Sequence, residues 1–202
     1  MHALRILLVI ISGLVPYALS AQSPSVGPLQ KGTWQAGATF AGGGIFGSVR
    51  GVDLRGDVSL SYMLTDRVSL GVHLPFSSFK YTFDDVNHDL SHYGVGLEGR
   101  YYFGKPESRL RPFLLGGFGY QWSENIVDRP QAVPYSMKGQ NLYVEAGAGL
   151  LVRLSKRIGL EVSTRTQGMS MYQDNVTNRV VKDGQFDFRI GLKIALGRRK
   201  KA

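Results

Sequence analysis

The chain has 202 residues, a formal net charge of +9, 43% hydrophobic residues and no cysteine. Structural disulfides and thiolate zinc sites are therefore excluded, and the charged fraction of 19% lies below the roughly 25% usual in soluble domains. The 26 glycines show no triplet period, so neither a collagen nor a disordered linker fits, and the length favours one domain.

Residues 1–21 read as a secretory signal peptide. Arg5 gives the positive start, Ile6 to Val15 the apolar run, and Ala18, Ser20 and Ala21 the small-residue exit. The run is too short for a spanning helix, which needs roughly 20 apolar residues. Removal after Ser20 or Ala21 would take Arg5 away and bring the charge from +9 to +8. Residues 22–32 form a spacer, residues 33–197 a barrel, and residues 198–202 a basic tail.

From residue 33 onward the period is two. Trp34, Ala36, Ala38 and Phe40 alternate with Gln35, Gly37 and Thr39. The same alternation recurs seven more times and predicts strands at 33–42, 52–64, 68–82, 91–103, 110–122, 141–154, 158–166 and 185–196. Residues 111–122 are less regular, with Phe113 and Leu115 off the stripe. Connections at 65–67, 104–109 and 155–157 are short, whereas those at 43–51, 83–90, 123–140 and 167–184 are long. An even strand count with short turns at one end and long loops at the other predicts an all-β fold. Its form is an eight-stranded antiparallel up-and-down transmembrane β-barrel, with both termini on the periplasmic side.

Three features set this reading above a soluble barrel with an apolar interior. Aromatic residues cluster near strand ends: Trp34, Tyr62, Tyr101 and Phe103 at one end, and Phe40, Phe76, Tyr93, Tyr120, Trp122 and Phe186 at the other. That is the layout of two interfacial girdles. The polar stripe is rich in glycine, which suits a narrow lumen and is a poor choice for a water-facing strand. The stripe also mixes both charge signs and uses arginine more than lysine. Asp53, Asp57, Glu98, Glu145, Glu161 and Asp187 face Arg55, Arg100, Arg153, Arg165, Arg189 and Lys193. A guanidinium can hold a carboxylate with two hydrogen bonds, so an ion-pair network in the lumen is expected.

With the signal peptide, the alternating chain and the segment Arg111 to Trp122 (RPFLLGGFGYQW), the sequence resembles the eight-stranded outer-membrane barrels. These are the OmpA transmembrane-domain and OmpX-like proteins of the porin family. The resemblance implies a bacterial outer-membrane protein. Its last strand, Phe186 to Leu196, would be read by the barrel assembly machinery. The chain departs from the pattern at its end, where members commonly stop on an aromatic residue. Here it runs on through Arg198, Arg199, Lys200, Lys201 and Ala202.

Candidate chemistry is thin. Gly94, Gly96 and Gly99 spell GxGxxG inside a strand, where a dinucleotide fingerprint has no strand–turn–helix context. His88 and His92 lack both the glutamate and the helix of a zincin motif. Asp84, Asp85, Asn87 and Asp89 make an acidic loop without the glycine and closing glutamate of an EF-hand. His88, Ser91, His92 and Glu98 imitate a lipid-modifying enzyme's set only in residue type, and His73, isolated on the polar stripe, is expected to be a hydrogen-bonded lumen residue. Asn175-Val176-Thr177 is a chance sequon in a bacterial barrel.

Eight strands enclose a lumen only wide enough for side chains. Arg55, Arg100, Tyr102 and Tyr143 should fill it. The reading is a monomeric, plugged, non-enzymatic barrel that anchors in the membrane and displays its loops. No cofactor and no nucleic acid is expected. The partners are outer-membrane lipids, lipopolysaccharide and a surface ligand on the long loops, loop 3 carrying Asp128, Arg129, Pro130, Pro134 and Tyr135. The basic tail is expected to be a solvated end that prevents slippage into the membrane, ahead of contact with anionic headgroups of the inner leaflet. A narrow small-solute channel is the alternative, ahead of a lipid A-modifying barrel enzyme.

Overall fold

The computed structural model describes residues 29–45, 50–83, 86–128, 133–173 and 182–198. The signal segment, the tail beyond Arg198, and Asp84, Asp85, Arg129, Pro130 and the sequon at Asn175 lie outside the described residues. Eight strands are described: β1 (Thr33–Ile45), β2 (Arg50–Met63), β3 (Val68–Phe83), β4 (Val86–Tyr102), β5 (Leu110–Asp128), β6 (Tyr135–Arg153), β7 (Ile158–Gln173) and β8 (Lys182–Arg198). Each pairs antiparallel with the next, and β1 pairs with β8 to close the barrel. Closure gives the described strands no open edge, which is what a sheet surrounded by hydrocarbon requires.

The alternation sorts side chains by face. Phe118 is 61% exposed, Val144 65% and Phe186 70%, all pointing outward, whereas Glu161 is fully buried. A continuous belt of exposed aliphatic and aromatic side chains far exceeds the patches a soluble monomer tolerates. In a bilayer the same belt is the stable arrangement. The aromatic residues sit in two bands on this outer surface. Trp34 packs on Tyr62 at 5.1 Å and Tyr101 on Phe103 at 5.0 Å in one band. Phe40 meets Phe76 at 6.1 Å and Tyr93 meets Trp122 at 5.8 Å in the other.

Phe113 and Leu115 break the polar stripe because they line the inner floor of the barrel. They join Leu29, Met63, Tyr102 and Leu151 in one buried apolar cluster at the short-turn end. Leu29, from the segment expected to be a mere spacer, thus belongs to the packed lumen. Arg111 covers this floor, its guanidinium over the Tyr102 ring and donating to the carbonyls of Phe103 and Asp66. Gly104, just beyond β4, takes φ +80 to turn the chain, a conformation that side chains disfavour.

The expected long loops are the main correction. β4 begins at Val86, β5 runs to Asp128, β6 starts at Tyr135 and β7 reaches Gln173. Ladder pairing continues through Gly44↔Val52, Tyr81↔His88, Asn125↔Met137 and Met169↔Asp183, so all four supposed loops are paired strand over part or most of their length. The physical reason is a swap of polarity between faces. Below, apolar residues point out; above, Val127 is buried inward while the outer face carries the pairs Lys80–Asp89 at 2.6 Å and Lys138–Glu124 at 3.9 Å. Tyr81 and His88 stack at 4.5 Å on the inner face. An apolar stripe followed on one face ends where the ladder does not.

Candidate functional site: the lumenal ion-pair network

Above the apolar floor, the polar stripes of the strands converge. Successive inward positions on a strand are two residues apart, so Glu98 and Arg100 of β4 are same-face neighbours, and Arg100 Nε donates to Glu98 Oε1. Arg100 Nη1 also crosses the lumen to Glu161 Oε2 of β7 at 2.6 Å, and its guanidinium lies 5.0 Å over the Phe113 ring. Arg165, also from β7, is the hub. Its Nη1 lies 3.0 Å from Glu98 Oε2 and 3.3 Å from Glu145 Oε2, and its Nη2 lies 3.2 Å from Asp57 Oδ2. Arg189 of β8 reaches the same Asp57 oxygen at 2.8 Å and clasps Asp187 with two bonds of 2.9 and 2.7 Å. Thr39 of β1 donates to Asp57 Oδ2 at 2.7 Å.

Strands β1, β2, β4, β6, β7 and β8 therefore meet in one buried network. From β3, His73 approaches Glu145 Oε1 at 3.3 Å and the Tyr143 hydroxyl at 3.0 Å, so it is the hydrogen-bonded lumen residue expected from its place on the polar stripe. Strand β5 contributes absence of volume. A Cβ on Gly117 would lie 2.9 Å from Glu145 Oε1. The Tyr143 hydroxyl sits against two glycines, 2.0 Å from a Cβ built on Gly96 and 2.5 Å from one on Gly119.

The seating of Tyr143 gives a direct test. Gly96→Ala is expected to cost about 1–3 kcal/mol by overpacking. The readout is a lower urea midpoint for the barrel folded into vesicles. In a Tyr143→Phe background the loss should shrink in part, because the closest atom is gone while His73 Nε2 at 2.6 Å and the Phe118 carbonyl at 2.9 Å still oppose the methyl. Equal losses in both backgrounds would show that the hydroxyl is not what fills the space.

Other sequence candidates are placed elsewhere. Asp53 and Arg55 pair with each other at 2.7 Å, each about one-fifth exposed, nearer the open end and separate from the network. Arg153 lies past the apolar floor and donates to the Glu107 carbonyl of a turn. Lys193 is buried but directs its ammonium to the Tyr102 hydroxyl at 3.5 Å rather than to a carboxylate. The His88, Ser91, His92 and Glu98 set does not assemble: His92 faces the lumen, Ser91 the opposite face, and Glu98 lies six residues, roughly 20 Å, along the strand. His73, Glu98 and Glu145 do bring ligand atoms within 4.8 Å of one another. The Arg165 guanidinium already bridges both glutamates, so this donor set is matched to arginine rather than to a metal cation.

The model of the OprF membrane domain matches residues 23–184. The chain belongs to this family of outer-membrane barrels. It is thus an OmpA-like eight-stranded barrel, as the resemblance in the sequence implied. Among solved structures, the N-terminal β-barrel domain of Pseudomonas aeruginosa OprF is 20% identical, with 82% of this chain and 98% of that one covered and a TM-score of 0.43. Neisserial surface protein A is 18% identical over 80% of this chain and 95% of that one, with a TM-score of 0.46. The translocator domain of the autotransporter NalP from Neisseria meningitidis is 15% identical over 93% and 68%, with a TM-score of 0.50. At such identities the likeness speaks to fold alone. No curated protein is similar enough to be matched.

Proposed function

We propose that this protein is a non-enzymatic scaffold of the Gram-negative outer membrane, exported by its signal peptide, with a lumen closed to solutes. It acts as a monomer in contact with outer-membrane lipids and lipopolysaccharide. It holds the β3–β4 and β5–β6 ribbons rigidly outside the membrane, where a surface ligand can meet them. Function on such barrels usually resides in the segments displayed by the scaffold.

The observation that supports a closed lumen best is the stacking of two independent plugs. The network centred on Arg165 ties six strands together across the interior. Beneath it, Leu29, Met63, Tyr102, Phe113, Leu115 and Leu151 form a dry floor. An ion would have to displace both layers to cross. Purified protein in planar bilayers is expected to give no steady conductance above the bare membrane. Steady, ion-selective openings would reject the closed reading in favour of a narrow channel.

A further inference from the structure

We propose that the short-turn end of the barrel is a binding ring for anionic phospholipid headgroups of the inner leaflet. It rests on the reading of the chain as a membrane barrel, and not on the lumen being closed.

Charge is distributed unevenly along the barrel axis. At the short-turn end, Lys31, Arg67, Lys105, Arg109, Arg153, Lys156 and Arg157 are exposed or half-buried, against two acids, Asp66 and Glu107. At the other end, the described rim outside the Asp53–Arg55 pair has Arg50, Lys80, Lys138 and Lys182 against Asp89, Glu124, Asp128 and Asp183. The balance is thus +5 at the short-turn end and zero at the other. Lys80 and Lys138 at the open end are moreover paired, with Asp89 and Glu124. At the short-turn end, Asp66 is engaged by the Lys31 backbone N–H at 2.7 Å.

Position selects the partner. The cations interleave with the exposed apolar residues that form the lower edge of the belt. Arg67 follows Leu64, Lys105 follows Phe103, Arg109 precedes Leu110, and Lys156 lies between Leu154 and Ile158. Three successive turns repeat this pattern around the perimeter. A cation beside an apolar anchor matches a molecule with a phosphate above an acyl chain, and aliphatic stems of Lys and Arg let the charge reach the headgroup plane. A soluble acidic polymer would need the charge but not the neighbouring apolar edge. Each near-surface cation raises local affinity for an anionic surface about five-fold, and the effect is screened by salt.

The test uses the full chain folded into phosphatidylcholine vesicles carrying a minority of phosphatidylglycerol, with spin-labelled lipids to read which species contacts the barrel. Phosphatidylglycerol is expected to be enriched about five-fold over phosphatidylcholine at about 0.01 M salt, and to approach parity at about 1 M, where the screening length is roughly 3 Å. The combined change of Arg67→Gln, Lys105→Gln, Arg109→Gln and Lys156→Gln should remove most of the enrichment. Replacing both arginines by lysine should keep it, because a point charge suffices. The salt dependence of the unaltered protein carries the test even if the fourfold variant folds poorly. Enrichment that is absent in the unaltered protein, that survives 1 M salt, or that persists in the folded glutamine variant overturns the proposal. So does binding to purified peptidoglycan that the glutamine changes abolish while lipid enrichment stays. A chain that conducts ions but still enriches phosphatidylglycerol would overturn the closed lumen and leave this ring standing.

Discussion

Arg165→Met is expected to cost the folded barrel about 3–5 kcal/mol, measured as urea unfolding from lipid vesicles. The side chain is fully enclosed and touches carboxylates from β2, β4 and β6. Without it, Glu98 keeps Arg100 and Asp57 keeps Arg189, but Glu145 keeps no arginine or lysine and has only the His73 ring at 3.3 Å. A buried carboxylate that has lost its cation carries the desolvation cost unopposed, and this dominates the loss. Arg165→Met combined with Glu145→Gln should therefore recover a substantial part of it. Arg165→Lys should recover little, because one ammonium cannot reach Asp57 on one side and the two glutamates on the other. Conductance should stay absent in all three variants, since the apolar floor remains. A loss below about 1 kcal/mol for Arg165→Met would mean that the network is hydrated and weak.

The sequence carried the barrel because period-two alternation is local, and eight runs of it leave few architectures. The membership of the lumen was legible for the same reason: Asp57, Glu98, Arg100, Glu145, Glu161, Arg165 and Arg189 all lie on the polar stripe. Their pairing was not. It depends on strand stagger, which brings Arg100 to Glu161 across 61 residues and Arg189 to Asp57 across 132. Depth was equally hidden. Arg153 shares the stripe of Glu145 but lies beyond the floor, and Phe113 and Leu115 keep the inward phase while changing its chemistry. The upper ribbons were missed because the apolar residues there move to the inner face, as Val127 does. Phase belongs to the backbone, whereas polarity follows what surrounds each level of the barrel.

That separation of phase from surroundings makes a second large effect calculable. Phe118 lies midway along the outward stripe of β5, opposite Leu97 on β4 and Val144 on β6. Phe118→Arg places a cation near the middle of the hydrocarbon, where it costs about 2–4 kcal/mol in barrels of this kind. Ile126 points outward from the same strand eight residues higher, beside Asp89 and Ser136 in the ribbon with the polar outer face. Ile126→Arg is expected to cost only about 0–1 kcal/mol, because it stands at or above the headgroups. Both residues are apolar and exposed and occupy one face of one strand, so their propensity terms are similar, and the Asp89 carboxylate beside Ile126 adds no more than about 1 kcal/mol in favour of an arginine there. The larger difference is the medium. Urea unfolding of the two variants from the same vesicles measures that difference directly. Two small and equal losses would place water, not lipid, around Phe118 and would contradict the membrane setting of the barrel.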